Sequence, residues 1–479
     1  MSRNARVMLL VVGLLAGACG HRSADSVGQA GAPAEETTGG ESTTTVGAAA
    51  PETTATSGAA ASGDVDVVQR IPGKPGTPGT GGSGTQGGPS SAAGGSGGPA
   101  TGGESLPGGS SAGVTGDAIK IGGVFPLSGG ISALGRPAEQ AARAYFRSVN
   151  DAGGVGGRRI EFIAEDDGGD PNRTRAAAEK LVEKDGIFVM GPSFTPFSPD
   201  LVGFLEGKGV PFIGFDGVNV EGFASSTTVT LGASIAPHAR TLVPYWVEKT
   251  KTTKIGVVYL DVPPAVSYLN DTRNVICPKL GCEVIEAQPV QFNTTDYTSI
   301  LLRMRTAGVE GIFIVTDPGS AVKLLLQARQ QNYKPSPGGY LGQHGIYLDL
   351  VAKSCGSFCD GILAPTSLFP PQVKNSATEE MRATVGRYYS DVDYGYFTEL
   401  GYVSAKLLVD VLRSAGTPDR AKVLAVAQGL TAYDTGGFTN PAKPLDLTPG
   451  REHPRDMILM RMEGGAWKQE TDWLSPRAF

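Results

Sequence analysis

Two doubly wound α/β lobes, preceded by a long disordered tether, are the architecture this sequence predicts. Three observations carry the prediction. First, the 17 Phe, 14 Tyr and 3 Trp all lie at or after Phe125, while 28 of the 69 glycines fall within residues 1–116. A segment without aromatics cannot bury enough apolar surface to offset the entropy of ordering its backbone. Second, from Asp117 onward short β-branched runs alternate with stretches whose apolar residues recur at helical spacing. Third, that alternation runs once, then starts again near Lys254. Two βαβα series imply two parallel sheets, each covered on both faces. The length of 479 residues is compatible with two or three domains.

The elements follow in order. Ile119-Lys-Ile-Gly-Gly-Val-Phe125 reads as a buried strand bounded by Pro126. Ala138, Ala141, Ala142, Tyr145, Phe146 and Val149 predict a helix over 136–151, stopped by the Gly153–Gly157 turn. Residues 159–164 alternate as a strand. Asp170-Pro171 opens a helix to about Lys184, with proline at its first position. Residues 187–190 and 210–213 are buried strands with a helix at 199–208 between them. The second series has strands at 254–259, 283–285, 311–315 and 338–341, with helices near 295–307, 318–332 and 346–353. A long helix over 399–414, another at 421–430 and late strands at 457–460 and 466–468 suggest that the chain returns to the first lobe before it ends.

The amino terminus indicates export. Arg3 and Arg6 precede the apolar run Val7–Leu15, followed by Ala16-Gly-Ala18 and Cys19. A basic start, a short apolar core and small residues form a secretory signal, too short to span a bilayer. Cysteine directly after the small residues is similar to a bacterial lipobox, which implies cleavage after residue 18 and lipidation of Cys19; an ordinary signal peptide that contains a cysteine is the alternative. Residues 19–116 then form a Gly/Ser/Thr/Pro-rich tether, a flexible coil reaching ~50–60 Å. Its matches to GxGxxG (79–84) and GxSxG (94–98) neither follow a strand nor open a helix, so they carry no chemistry. Beyond the first residues no apolar run approaches the ~18–20 needed to cross a membrane.

The other four cysteines form two local pairs, Cys277/Cys282 and Cys355/Cys359. In an oxidising compartment two local disulfides are the simplest arrangement. A zinc site made of all four is the competing reading, and the spacing admits it.

In open α/β sheets, ligands bind beyond the carboxyl ends of the strands. The loops 128–135 and 191–198 lie there. The second offers Ser193, Thr195 and N–H groups at a helix start, suited to a carboxylate; the same hydroxyls are also natural helix caps.

Ile119–Gly129, Asp151–Ile160, Glu165–Pro171, Val189–Thr195 and Leu325–Arg329 together resemble the branched-chain amino-acid (Leu/Ile/Val) binding protein family, the type I periplasmic substrate-binding proteins of ABC importers. The resemblance covers nearly all of 117–479 and implies two lobes joined by three crossovers with ligand between them. It implies a first lobe over 117–238, a second over 239–365, a return to the first over 366–445 and a return to the second over 446–479. It places Thr195 at a carboxylate-binding position and Phe397 at an aromatic wall. Departures from the family pattern are Asp216 and Val218, where Ala and Thr are usual; Leu134, where a tyrosine often stacks; Asp317 for a tyrosine; His344 for the glutamate that pairs with ligand ammonium; and Asp261-Val-Pro-Pro264 for Tyr-Gly. Asp216 and Asp317 are candidates to supply the missing negative charge, or are solvated loop acids.

The expected function is a solute-binding lipoprotein on the outer face of the bacterial cytoplasmic membrane. It would capture a small amino-acid-like or amide-bearing solute for an ABC importer, with Ser193, Thr195, Asp216, Val218, Asp317, His344 and Phe397 at the ligand. The expected partners are that solute, the permease subunits and, through lipid only, the membrane; the chain is expected to be monomeric and to need no cofactor or metal. A sensor of the same fold is the alternative, and a structural wall protein a further one. The net charge of −6 argues against nucleic acid. Enzyme activity is not expected, since the four histidines, His21, His238, His344 and His453, form no metal-spaced cluster and no nucleophile elbow occurs.

Overall fold

A computed structural model describes residues 112–195, 200–214, 221–232, 238–292, 294–450 and 456–479. All of them fall in the compact unit Ser96–Phe479. The signal segment, Cys19, the tether up to residue 111, Asp216 and Val218 lie outside the described residues.

The first lobe is built from β1 (Ala118–Phe125), α1 (Ser132–Asp151), β2 (Arg159–Asp166), α2 (Pro171–Glu179), β3 (Val189–Met190), α3 (Asp200–Gly207), β4 (Phe212–Ile213), α4 (Glu221–Ala224) and β5 (Thr228–Val229). Among the described residues its sheet has the order β2-β1-β3-β4-β5, parallel throughout. β1 is buried along nearly its whole length, as expected of a strand covered on both faces. Asp170 caps α2 by accepting from the N–H groups of Asn172 and Arg173, and Pro171 follows it at the first helical position. The helix continues as a π-type turn through Lys180–Lys184. α1 starts one turn earlier than its apolar spacing suggests, which brings Leu134 into the helix. Residues 113–115 already belong to the fold. Lys120 N–H donates to the Gly113 carbonyl, Arg158 Nε donates to the Thr115 carbonyl, and a Cβ on Gly113 would lie 2.2 Å from the Phe188 nitrogen.

The second lobe comprises α5 (Ala239–Thr250), β6 (Lys254–Leu260), α6 (Pro263–Asp271), α7 (Cys277–Leu280), β7 (Glu283–Val290), α8 (Thr298–Thr306), β8 (Gly311–Val315), α9 (Pro318–Gln330), β9 (Gly339–Gly342), α10 (Asp349–Cys355) and β10 (Leu363–Thr366). The chain then returns to the first lobe as α11 (Ser376–Tyr388), α12 (Tyr396–Ala415) and α13 (Arg420–Gln428), and finishes in the second with β11 (Ile458–Glu463) and β12 (Ala466–Gln469). It passes between lobes after β5, after β10 and after α13. The second sheet runs β7-β6-β8-β9-β10-β11-β12 among the described residues. Its first five strands repeat the order of the first sheet. β11 is antiparallel to β10 and to β12, so this sheet is mixed rather than wholly parallel. The late strands carry no crossover helix between them and can pair as a hairpin.

The return to the first lobe depends on a close helix contact. A Cβ on Gly401 of α12 would lie 2.2 Å from the Ala138 carbonyl oxygen of α1, so only glycine lets the two backbones approach this far. α11 opens with a capping box in which Asn375 accepts from Thr378 N–H and the Thr378 hydroxyl accepts from Asn375 N–H. The two cysteine pairs are disulfides, Cys277–Cys282 at the α7 turn and Cys355–Cys359 after α10, with Cα–Cα distances of 4.5 and 5.7 Å. Each staples a local turn. No helix among the described residues is long and apolar enough to cross a membrane.

Candidate functional site in the interlobe cleft

Each sheet reverses its winding beside its first strand. In the first lobe this happens between β1 and β3, in the second between β6 and β8. Helices leave opposite faces there, and a crevice opens beyond the strands' carboxyl ends. The two crevices face one cavity. Ile131 and Leu134 line it from the segment after β1, and Phe194 from the loop after β3. Leu260 ends β6 and Val262, Pro264, Ala265 and Tyr268 follow it, Val315 ends β8 with Thr316 and Asp317 beyond it, and Gln343, His344 and Gly345 follow β9. Phe292 and Phe397 complete the wall. The cavity has about 570 Å³ of empty volume, part of it open to solvent. The lobes nearly touch at one edge, where a Cβ on Gly319 would lie 3.7 Å from the Gly130 carbonyl oxygen.

The wall is mostly apolar, with a few polar atoms set into it. Asp317 is the N-cap of α9; its Oδ1 accepts from Ser320 N–H at 3.0 Å. Its Oδ2 is buried and has no hydrogen-bond partner among the described residues. His344 is 8% exposed, and its Nδ1 also lacks a partner. Burial lowers its pKa to about 4, so the ring is neutral at pH 7. Gln343 is held by two bonds, Nε2 to the Thr316 carbonyl and Oε1 from Gly345 N–H.

An aromatic chain crosses the seam behind these groups. Phe194 and Phe397 pack at 5.1 Å, Phe397 and Tyr396 at 5.1 Å, and Tyr396 and His344 at 5.1 Å. His344 meets His238 edge to face at 5.2 Å. His238 Nδ1 shares a hydrogen bond with the Tyr268 hydroxyl at 3.0 Å. Its pKa falls well below the usual histidine value, first through burial and then through His344. Two neutral imidazoles therefore stand together at the lobe junction.

On the other side, Asp166 shapes the loop after β1. It accepts from the N–H groups of Leu127, Ser128 and Gly168 and from the Ser128 hydroxyl. Partial burial would raise its pKa, but those four bonds outweigh it and hold the value at about 2.

Of the residues singled out from sequence, Asp317, His344 and Phe397 lie together in the cavity wall. Ser193 is fully buried, and its hydroxyl bonds β1 instead, accepting from Val124 N–H at 2.9 Å and donating to the Val124 carbonyl at 2.8 Å. Thr195 is 1% exposed; of these three consecutive residues it is Phe194 that lines the cavity. Gly191 permits that turn: its φ is 128°, and a Cβ there would lie 1.9 Å from the Ile213 carbonyl oxygen. Asp216 and Val218 are outside the described residues. Tyr268, Phe292, Gln343 and His238 were not anticipated. A signal existed for Tyr268, one helical turn beyond Pro264 at the mouth of α6, but none for His238, which meets the site only through packing.

The Periplasmic binding protein family matches this chain over residues 118–466. Leu/Ile/Val-binding protein homolog 7 of Brucella abortus is 25% identical over 335 residues, 66% of this chain and 81% of that protein. Among solved structures, the fatty acid ABC transporter substrate-binding protein from Thermomonospora curvata superposes with a TM-score of 0.65 at 20% identity, covering 76% of this chain and 94% of that one. The branched chain amino acid ABC transporter from Thermus thermophilus with bound valine gives 0.64 at 20% identity, covering 75% and 96%. These two likenesses concern the fold, and they agree with the two lobes, the three passages between them and the cleft described above. With the family matched over most of its length, the chain belongs to the periplasmic binding proteins, and its fold is the type I fold of that family.

Proposed function

We propose that this protein is an extracytoplasmic solute-binding lipoprotein, anchored through Cys19, that captures a small amino-acid-like or amide-bearing solute in the interlobe cleft and delivers it to an ABC importer. The observation that carries this reading is the cavity itself. Both topological switch points open onto it, its walls are apolar, and two buried polar atoms, Asp317 Oδ2 and His344 Nδ1, point to a ligand that would complete them. The three passages between the lobes supply the hinge about which they would close on the solute. Thr195, and Asp216 and Val218 in the segment after β4, are the first lobe's proposed contributions. The same reading makes the chain a carrier that works as a monomer, without catalytic chemistry of its own.

A thermal-shift screen of the full-length protein against amino acids, amides, ureas and short peptides tests the binding. A ligand that favours the folded state raises the melting temperature by an amount set by its concentration over Kd. A hit whose shift is reduced by Phe397→Ala and Asp317→Ala supports the cleft; full-sized shifts in both variants place the site elsewhere. Uptake of the hit by cells with and without the gene then separates an importer's binding protein from a sensor of the same fold, which would bind equally well and leave uptake unchanged.

A further inference from the structure

We propose that Asp393 is a proton-operated latch between the two lobes, so that acidification favours the closed cleft and a rise in pH loosens it. This adds a control to the cleft, and it is tested without any solute, so its failure leaves solute capture standing. The latch lies where the stretch leading into α12 meets the start of α10. That stretch moves with the first lobe: the Thr398 hydroxyl of α12 donates to the Asp393 carbonyl at 2.6 Å, and α12 rests on α1 at Gly401. α10 belongs to the second lobe. A Cβ on Gly395 would lie 3.1 Å from both the Tyr347 carbonyl oxygen and Leu348 Cδ2, so the two lobes are in contact there. Gln372, in the passage from β10 to α11, ties them together. Its Nε2 donates to the Tyr394 carbonyl at 3.3 Å and reaches Asp349 Oδ1 at 3.5 Å, and its Oε1 accepts from the Tyr347 hydroxyl.

Acidic groups crowd this junction. Asp349 acts on Asp393 from α10, and Glu399 stands on α12. Burial, then Glu399 and Asp349, push the Tyr347 hydroxyl well above its usual pKa, so it stays neutral. The cations are turned to other partners: Lys353 pairs with Asp349 at 4.0 Å, and Arg382 bonds the Pro371 carbonyl and covers the Tyr394 ring. Asp393 Oδ1 is buried, with no hydrogen-bond partner among the described residues. Burial first and the Asp349 carboxylate second disfavour ionisation; Lys353 and the N–H groups of Leu350 and Asp349 oppose them, and the pKa of Asp393 stands at about 6. His344, across Tyr396, has its pKa at about 4 and stays neutral over the range from pH 5 to 7. Opening the junction would hydrate Asp393 and return its pKa toward the usual 3.8. The closed form therefore holds the proton more tightly. Its advantage is complete below pH 3.8 and is lost as pH rises through about 6. Protonated, Asp393 also gains an O–H that can donate to the Asp349 carboxylate across the junction. From pH 7 to pH 5 the ratio of closed to open molecules should rise about tenfold.

Förster transfer between dyes on Arg136→Cys in α1 and Lys323→Cys in α9 reads the distance between the lobes in the unliganded full-length protein. Transfer should rise as pH falls from 7 to 5. Asp393→Asn keeps the side chain's shape and fixes it neutral, so the acid value should appear at every pH. Asp349→Asn removes the facing carboxylate and should move the transition to lower pH. Transfer that does not change with pH in the wild type overturns the latch, whether or not the Asp393 variant folds. So does a transition that persists unchanged in Asp393→Asn, or one that Glu399→Gln abolishes, which would assign the titration to Glu399 instead.

Discussion

Glu399 gives a prediction with a definite sign. It lies one turn into α12, next to the residues that form the aromatic seam, and is fully buried. Neither carboxyl oxygen has a hydrogen-bond partner among the described residues. Arg382 is the cation that acts on it, but its Nε donates to the Pro371 carbonyl and its guanidinium lies over the Tyr394 ring at 4.4 Å. Burial therefore dominates, opposed by the Arg382 field, and the pKa of Glu399 stands well above the usual carboxyl value. A carboxyl whose pKa is raised by folding contributes most below its unfolded value of about 4.5, and that contribution is lost as pH rises toward the folded value. The slope is about 1.4 kcal/mol per pH unit. The buried histidines act in the opposite direction. His344, lowered to about 4, makes the fold more stable as pH rises from there to about 6.5. Glu399→Gln keeps the side chain's shape and removes only the titration, so the difference between variant and wild type isolates the carboxyl. Urea unfolding at pH 4.5, 5.5, 6.5 and 7.5 should show the two proteins similar at the lowest pH. The variant should then become progressively more stable relative to wild type as pH rises, by no more than about 1.4 kcal/mol per pH unit. Stability profiles that run parallel across this range would refute a Glu399 pKa raised by burial.

Three other outcomes are expected. Gly401→Ala should destabilise by about 1–3 kcal/mol or more, because the new methyl meets a backbone oxygen that cannot move aside without shifting α1; an unchanged melting temperature would mean that α1 and α12 do not meet there. Peptide mapping without reductant should recover Cys277–Cys282 and Cys355–Cys359, and removing either bridge should cost about 2 kcal/mol, the small amount that a short loop allows; four free thiols would contradict both. Deleting residues 20–111 should leave the melting temperature within about a degree, since the segment has no aromatic residue to bury, whereas extending the deletion through residue 116 should lower it by removing the Gly113 and Thr115 contacts.

Much of the fold was legible because its signals are local. Asp170-Pro171 starts α2, and the apolar spacing of 138–149 forms the buried face of α1. The missed elements had weaker or conflicting signals. α5 contains Pro244 within its span, α6 opens on the double proline 263–264, and β10 holds Pro365 inside a four-residue strand. α11 carried its Asn375–Thr378 capping box in plain view. For the site, Asp317 and His344 each stand two residues beyond a strand end, where α/β sheets expose side chains to a crevice, and both line the cavity. Ser193 follows a strand as well, yet its hydroxyl bonds Val124; which side of the loop faces the crevice depends on the turn at Gly191 and on the neighbouring strand.

The sequence alone determined the two α/β series, the local cysteine pairs and the strand ends that carry the cleft, because each is encoded within a dozen residues by periodicity, spacing or punctuation. Tertiary structure alone decided that β11 and β12 join the second sheet antiparallel, that His238 stands against His344 with Tyr268 behind it, that Gly401 lets α12 rest on Ala138, and that Asp317 Oδ2 and His344 Nδ1 are buried without partners in one cavity. These facts join residues distant in the chain. Their energies come from close packing and from desolvation, which depend on what the whole fold brings within contact distance and are not written in any single window of residues.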